Sequence, residues 1–230
     1  IITINGEDYN SAKEMLKIND VYHVHGVGID LEKFTSQNKD NKLSIRNEYG
    51  YKKDDFILIY VGELSHRKNQ DMAINVINKL KDRIPNIKLL LVGDGDLKYK
   101  YKSRVKKLNL EKYVDFLGYR KDVNRLMMLS DIAISTSRQE GLPVNIMEAM
   151  ATGLPLVVTN CRGNRDLVSN NENGYVIEYY NTTNFSDSIV KIFESDSLNC
   201  RLSKSSLHSI GKYSIQKINK DMKLIYSVYV

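Results

Sequence analysis

A chain of 230 residues, 42% of them hydrophobic, can bury one sizeable core, or one domain plus a fragment of another. Its formal charge of +6 comes without the basic-and-aromatic motifs of a nucleic-acid module, and no run of ~18 apolar residues offers a membrane-spanning helix. The two cysteines, Cys161 and Cys200, and the histidines His23, His25, His66 and His208 fall in no metal-ligand or redox spacing, which fits ordinary thiols in a reducing cytoplasm.

The chain lacks an initiating Met and a signal-peptide pattern, and it opens in mid-pattern at Ile1-Ile2-Thr3-Ile4, like a piece cut from something longer. Residues 1–5 read as a short strand, residues 8–17 as a helix with Asp8 as N-cap, and residues 21–24 as a second strand. His25-Gly26-Val27-Gly28-Ile29-Asp30 then supplies two glycines for a turn that ends near Phe34. The polar stretch 38–42 reads as a linker and marks a domain boundary.

Beyond it strands and helices alternate. Strands are expected at 56–61, 87–92, 114–117, 132–135, 156–159 and 175–177. Helices are expected at 69–81, 97–108, 123–129 and 143–151. The strands are short and continuously apolar, as when both sheet faces are covered, and the alternation predicts a parallel, doubly wound α/β sheet. Helices at 184–194, 199–210 and 214–229 complete the chain, the last with apolar residues at helical spacing.

One stretch organises the chemistry: Arg138-Gln139-Glu140-Gly141-Leu142-Pro143-Val144-Asn145-Ile146-Met147-Glu148-Ala149-Met150. Pro143 suits a first helical turn, and Gly153 with Pro155 closes the helix. The helix start offers free N–H groups at Gly141, Leu142 and Val144, a place for phosphate. Glu140 and Glu148 flank it, and a carboxylate accepts hydroxyl hydrogen bonds. A nucleotide-diphosphate sugar, anionic in the middle and rich in hydroxyls at both ends, is a ligand of that form. Glu140 stands in the loop, so helical rotation alone leaves open whether the two carboxylates share a face.

The run from Glu140-Gly141-Leu142-Pro143 to Glu148-Ala149-Met150-Ala151-Thr152-Gly153-Leu154-Pro155 resembles the paired-glutamate motif of retaining glycosyltransferases of the GT-B fold, most closely glycosyltransferase family four and its capsule and exopolysaccharide enzymes. The resemblance covers nearly the whole chain. It implies that residues 1–38 are a remnant of the N-terminal, acceptor-binding domain with its hinge, and that residues 39–230 are the C-terminal, nucleotide-sugar-binding domain, Rossmann-like, with terminal helices. It makes Glu140 and Lys68 the catalytic positions, Glu140 on the transferred sugar and Lys68 on the diphosphate. It gives donor-binding roles to Gly62, Arg67, Gly141, Leu142, Pro143, Val144 and Glu148, the last on the ribose. Leu117, Gly118, Tyr119 and Arg120 resemble the base-binding segment.

The sequence departs from the family at Glu63, which replaces an arginine and cannot bind a diphosphate; Arg67 is the substitute cation. Ser135-Thr136-Ser137 offers hydroxyls that bond phosphate or cap the turn. Gly93-Asp94-Gly95-Asp96 lacks the third glycine of a dinucleotide fingerprint and reads as a tight strand-to-helix turn. Gly163-Asn164-Arg165-Asp166 reads as a supporting turn.

The implied activity is retaining transfer from a nucleotide-diphosphate sugar, by analogy a UDP-sugar, to a saccharide or lipid-linked acceptor, with no metal and no other cofactor. The isolated chain is expected to bind donor and transfer little. A nucleotide-sugar 2-epimerase of the same fold and a noncatalytic nucleotide-binding module are the competing readings. The implied location is cytoplasmic, at the inner face of the membrane. The basic run Lys98, Lys100, Lys102, Arg104, Lys106 and Lys107 reads as a solvated helix face or as attraction to an anionic membrane surface.

Overall fold

The computed structural model describes residues 1–15, 20–36 and 38–228. Six strands form one wholly parallel sheet: β3 (Phe56–Val61), β4 (Ile87–Val92), β5 (Val114–Gly118), β6 (Ile132–Ser135), β7 (Leu156–Thr159) and β8 (Gly174–Ile177), in the order β5-β4-β3-β6-β7-β8. A separate parallel pair, β1 (Ile2–Thr3) with β2 (Tyr22–His23), is shorter than the sequence suggests.

Period-two alternation divides the sheet's side chains between two cores. Leu58, Tyr60, Leu89 and Leu91 pack to one side under α3 (Gln70–Leu80), α4 (Lys98–Lys107) and α8 (Thr182–Phe193). Ile57, Ile59, Leu90 and Val92 pack to the other under α5 (Val123–Leu129) and α6 (Val144–Ala151). Both faces are covered, so the strands show no polar side. Each such fully buried Leu or Ile contributes roughly 1.5–3 kcal/mol.

Several boundaries differ from expectation. α1 runs Gly6–Glu14 and is capped by Asn5, whose Oδ1 accepts the Asp8 N–H at 2.9 Å, so Asp8 lies inside the helix and is not its cap. The expected end of that helix at residues 16 and 17 lies outside the described residues. The 38–42 stretch is no linker: Asn38 caps α2 (Lys39–Glu48). This helix has almost no apolar face, which hid it. Instead it anchors through charge: Lys42 Nζ and Arg46 Nη2 meet Asp131 at 2.6 and 2.7 Å, and Asp131 Oδ2 also accepts the Ile57 N–H at 2.7 Å. The 163–166 turn is likewise part of a helix, α7 (Arg162–Leu167). At the C-terminal end, α9 (Asp196–Ser209) passes through a 3-10 turn, Ile210–Tyr213, into α10 (Ile215–Ser227).

After β3 the chain moves outward to β4 and β5, then α5 carries it back to β6 beside β3. The order of strands reverses there. The connections leaving β3 and β6 therefore run to helices on opposite faces of the sheet, α3 and α6, and the C-terminal strand ends at such a point are the usual ligand position in these sheets.

Candidate functional site: a phosphate cradle between two glutamates

The loop leaving β3 is narrow by necessity. A Cβ at Gly93 would lie 2.1 Å from the Gly62 carbonyl oxygen, and one at Gly95 would lie 2.6 Å from that of Leu64. The two strand-exit loops are thus in backbone contact, with Leu64 N–H donating to Asp94 O at 3.0 Å. Gln70 Nε2 holds the Glu63 carbonyl at 2.7 Å. The Glu63 residue is exposed, so the structure gives this departure from the family's arginine no charge role in the cradle.

Lys68 and Asn69 are fixed from beneath. Tyr60 Oη donates to the Lys68 carbonyl and lies 3.0 Å from Ser137 Oγ, and Thr136 Oγ1 donates to the Asn69 carbonyl at 2.8 Å. Burial pushes the Tyr60 phenol well above its ordinary range, so it stays a donor. Ser135, Thr136 and Ser137 are wholly buried. Thr136 alone spends its hydroxyl on the backbone, Ser135 Oγ donates to Ser137 Oγ at 3.2 Å, and their burial leaves none of the three open to phosphate. Sequence reasoning missed Tyr60, Gln70 and Asn145 as supports, since none of them differs in type from an ordinary core or helix residue.

Lys68 Nζ reaches Glu140 Oε1 at 2.6 Å, and Arg67 Nη1 lies 3.3 Å from Oε2 of the same carboxylate. Lys68 and Glu140 are buried, whereas Arg67 is about half exposed at 47%. The three residues expected to meet the diphosphate and the sugar are therefore brought together, across 72 residues of sequence.

Just beyond, Pro143 is extended (φ −77°, ψ 108°) and acts as the N-cap of α6, one position outside the first turn expected for it. Among the described residues, the N–H groups of Gly141, Leu142, Val144 and Asn145 donate to no protein group. With the helix dipole behind them, they form an anion cradle. Asn145 Nδ2 donates to the Val61 carbonyl at 2.8 Å and so pins the mouth of α6 to the end of β3. From below, Gly163 donates to Glu140 O at 3.3 Å, and a Cβ on it would stand 2.4 Å from the Gly141 carbonyl. The turn at Gly26 (φ +88°) lies on the remaining side, where an added Cβ would meet Leu142 Cδ2 at 2.6 Å.

Glu148 lies a turn inside α6 and is half-buried. Burial pushes its carboxyl up to about 7, with Lys33 pulling the other way. The base-binding candidates separate. Gly118 O accepts the Gly93 N–H at 2.8 Å, which places the strand end Leu117-Gly118 beside the C-terminal end of β4. Tyr119 is 79% exposed. The Arg120 guanidinium is paired with Asp122, at 2.8 Å through Nε and 2.5 Å through Nη2. A hollow of about 920 Å³ opens at the opposite, N-terminal strand ends, away from the cradle, and its lining mixes three aspartates with four lysines. Among the described residues there is no cluster of three or more His, Cys, Asp or Glu placed to hold a metal ion, and no helix long and apolar enough to cross a membrane.

A doubly wound parallel sheet carries at its switch point a set of unengaged helix-start amides flanked by a buried and a half-buried carboxylate. The family model described as "Glycosyl transferases group 1" matches residues 41–209, and the chain belongs to that family. It is 31% identical over its full length to EpsD of Bacillus subtilis (strain 168), which carries the name of a glycosyltransferase, and covers 61% of that protein. It is 32% identical, over 86% of this chain and 52% of the other, to the UDP-Gal:alpha-D-GlcNAc-diphosphoundecaprenol alpha-1,3-galactosyltransferase of Escherichia coli. The chain thus spans a little over half the length of these relatives. Among solved structures, Anabaena HepE in complex with UDP superposes with a TM-score of 0.88 at 21% identity, covering 99% of this chain and 63% of that one. At that identity the likeness concerns the fold, which is that of the GT-B glycosyltransferases.

Proposed function

We propose that this chain is the donor-binding part of a retaining glycosyltransferase that takes its sugar from a nucleotide diphosphate, most simply a UDP-sugar, and acts in the synthesis of a polysaccharide or other cell-surface glycan on a saccharide or lipid-linked acceptor. The observation that carries the reading is the set of unengaged amides at Gly141, Leu142, Val144 and Asn145, bordered by Lys68 and Arg67 and flanked by Glu140 and Glu148. The amides and cations would neutralise the charge that builds on the leaving diphosphate. Preorganised donors aimed at such charge lower the barrier to its departure. Glu140 would accept hydroxyls of the transferred sugar and Glu148 those of the ribose. A relative named for UDP-galactose transfer and a fold neighbour holding UDP support uridine as the base.

The proposal places acceptor activation outside this chain, so donor binding without efficient transfer is the expected behaviour of residues 1–230, in the cytoplasm or against the inner face of the membrane. Calorimetric titration with uridine, guanosine and adenosine diphosphate sugars tests the reading. Saturable binding of one class is expected. Binding of none, by a chain with an intact thermal transition, overturns it.

A further inference from the structure

His66 and Arg138 sit in the two loops that carry the cradle, but they do not line it. His66 precedes Arg67-Lys68, Arg138 precedes Gln139-Glu140, and the Arg138 N–H donates to the Arg67 carbonyl at 2.9 Å. Both border a separate hollow of about 430 Å³, closed on its other side by α4. Lys100, Arg104 and Lys107 enter it at i, i+4 and i+7, one stripe of that helix. Asp71 is the single carboxylate among its lining residues, and it is already engaged by Arg104, whose Nε lies 2.8 Å from Oδ1. Arg104 Nη2 donates to Asn75 at 2.7 Å, so its guanidinium is held in place. Lys100, Lys107 and Arg138 meet no carboxylate among the described residues.

Four cations and a histidine around one engaged carboxylate leave the hollow with an excess of positive charge, which draws an anion into it. Two guanidinium groups beside two ammonium groups suit a phosphate, which accepts forked and point-charge donors together. We propose that this hollow is a second anion site, distinct from the donor cradle, that takes a phosphoester group and braces from behind the loops holding Lys68 and Glu140. The shared chemistry is the phosphate. It comes either from a free phosphoester or from the headgroup of an anionic lipid.

The test titrates isotope-labelled chain with inorganic phosphate at constant ionic strength and follows the amides by NMR. His66, Ser103 and Arg138 report the hollow, while Leu142 and Val144 report the cradle. Saturable shifts at His66 and Arg138 are expected, with an affinity about tenfold weaker in the exposed-face double variant Lys100→Glu/Lys107→Glu. Shifts at Leu142 and Val144 should keep the same midpoint in that variant. Flotation with phosphatidylcholine vesicles, with and without phosphatidylglycerol, separates the sources. Capture by the anionic vesicles alone, lost in the double variant, assigns the lipid headgroup. Saturation by phosphate without capture assigns a free phosphoester. Shifts that never saturate at His66 and Arg138, or an affinity the double variant leaves unchanged, overturn the proposal whatever the cradle does.

Discussion

Lys68 Nζ and Glu140 Oε1 stand 2.6 Å apart, with only 10% and 6% of their side chains exposed. The lysine expected to meet a diphosphate is therefore held by the carboxylate expected to meet the sugar, so an incoming donor must share or replace that contact. We expect Lys68→Ala to weaken binding of a nucleotide-diphosphate sugar by roughly 1–3 kcal/mol, the scale of a charge-assisted hydrogen bond. Glu140→Gln keeps the shape but releases Lys68. It should bind the free nucleoside diphosphate at least as well as the parent chain while losing affinity for the diphosphate sugar. Calorimetry on both ligands checks this, and parental affinity in Lys68→Ala would remove the assignment.

Glu148 gives a pH dependence of definite sign. Its carboxyl titrates at about 7 in the folded chain against an ordinary 4.5, because burial disfavours the charge. Between those values the folded chain keeps a proton that the unfolded chain has lost. Stability therefore falls as pH rises from 4.5 to 7 and levels off above. The shift converts to at most ~3 kcal/mol at 1.36 kcal/mol per unit, less what solvent screens at a half-buried position. Glu148→Gln should flatten that slope and raise Tm at pH 8 relative to the parent. If the ionised carboxylate accepts the ribose hydroxyls, donor affinity in the parent should rise as pH passes through about 7, and the variant should show no such rise.

Asp131 anchors α2 at the other end of the sheet, where it meets Lys42, Arg46 and the Ile57 N–H. Burial lowers the Lys42 ammonium below its usual range, with Asp131 acting against that shift. Removing the carboxylate leaves two shielded cations facing each other. Asp131→Ala should cost ~3–5 kcal/mol, the scale for breaking a buried ion pair from one side, read as the urea midpoint. Lys42→Met, which removes a cation and keeps the pairing of Arg46, should cost less. Equal costs would show that the network is not the anchor.

The same anchor explains what the sequence hid. The six strands and the helices between them announce themselves by apolar runs and turn residues, and the cradle by Pro143 and the two glutamates. α2 carries its binding energy in Lys42 and Arg46, which periodicity scores as solvent-facing, so its start, within the 38–42 stretch, looks like a linker. α7 is short, and Gly163 within it suggests a turn. The commitments of the Thr136 hydroxyl to the Asn69 carbonyl, of the Ser135 and Ser137 hydroxyls to each other, and of Arg120 to Asp122 depend on residues distant in sequence or on rotamers, and none leaves a trace in residue order.

Gly163 makes the packing of the cradle testable without touching a charge. A Cβ there would lie 2.4 Å from the Gly141 carbonyl oxygen and 2.8 Å from Pro143 Cδ, closer than real contacts allow, and both neighbours belong to the mouth of α6. That mouth has little room to yield, since Asn145 ties it to Val61 and Leu142 already abuts Gly26. Gly163→Ala should therefore cost roughly 1–3 kcal/mol of stability, as overpacking does, with about 2–4 °C in Tm for each of them. It should also weaken donor binding, because Gly141, Leu142 and Val144 are the groups displaced. Gly141→Ala faces open space, with no atom within 4 Å of the added carbon, and should leave Tm unchanged. Thermal melts of the two variants, followed by donor titration of Gly163→Ala, decide the matter. Parental Tm and affinity in Gly163→Ala would mean that α7 does not hold the phosphate-binding amides in place.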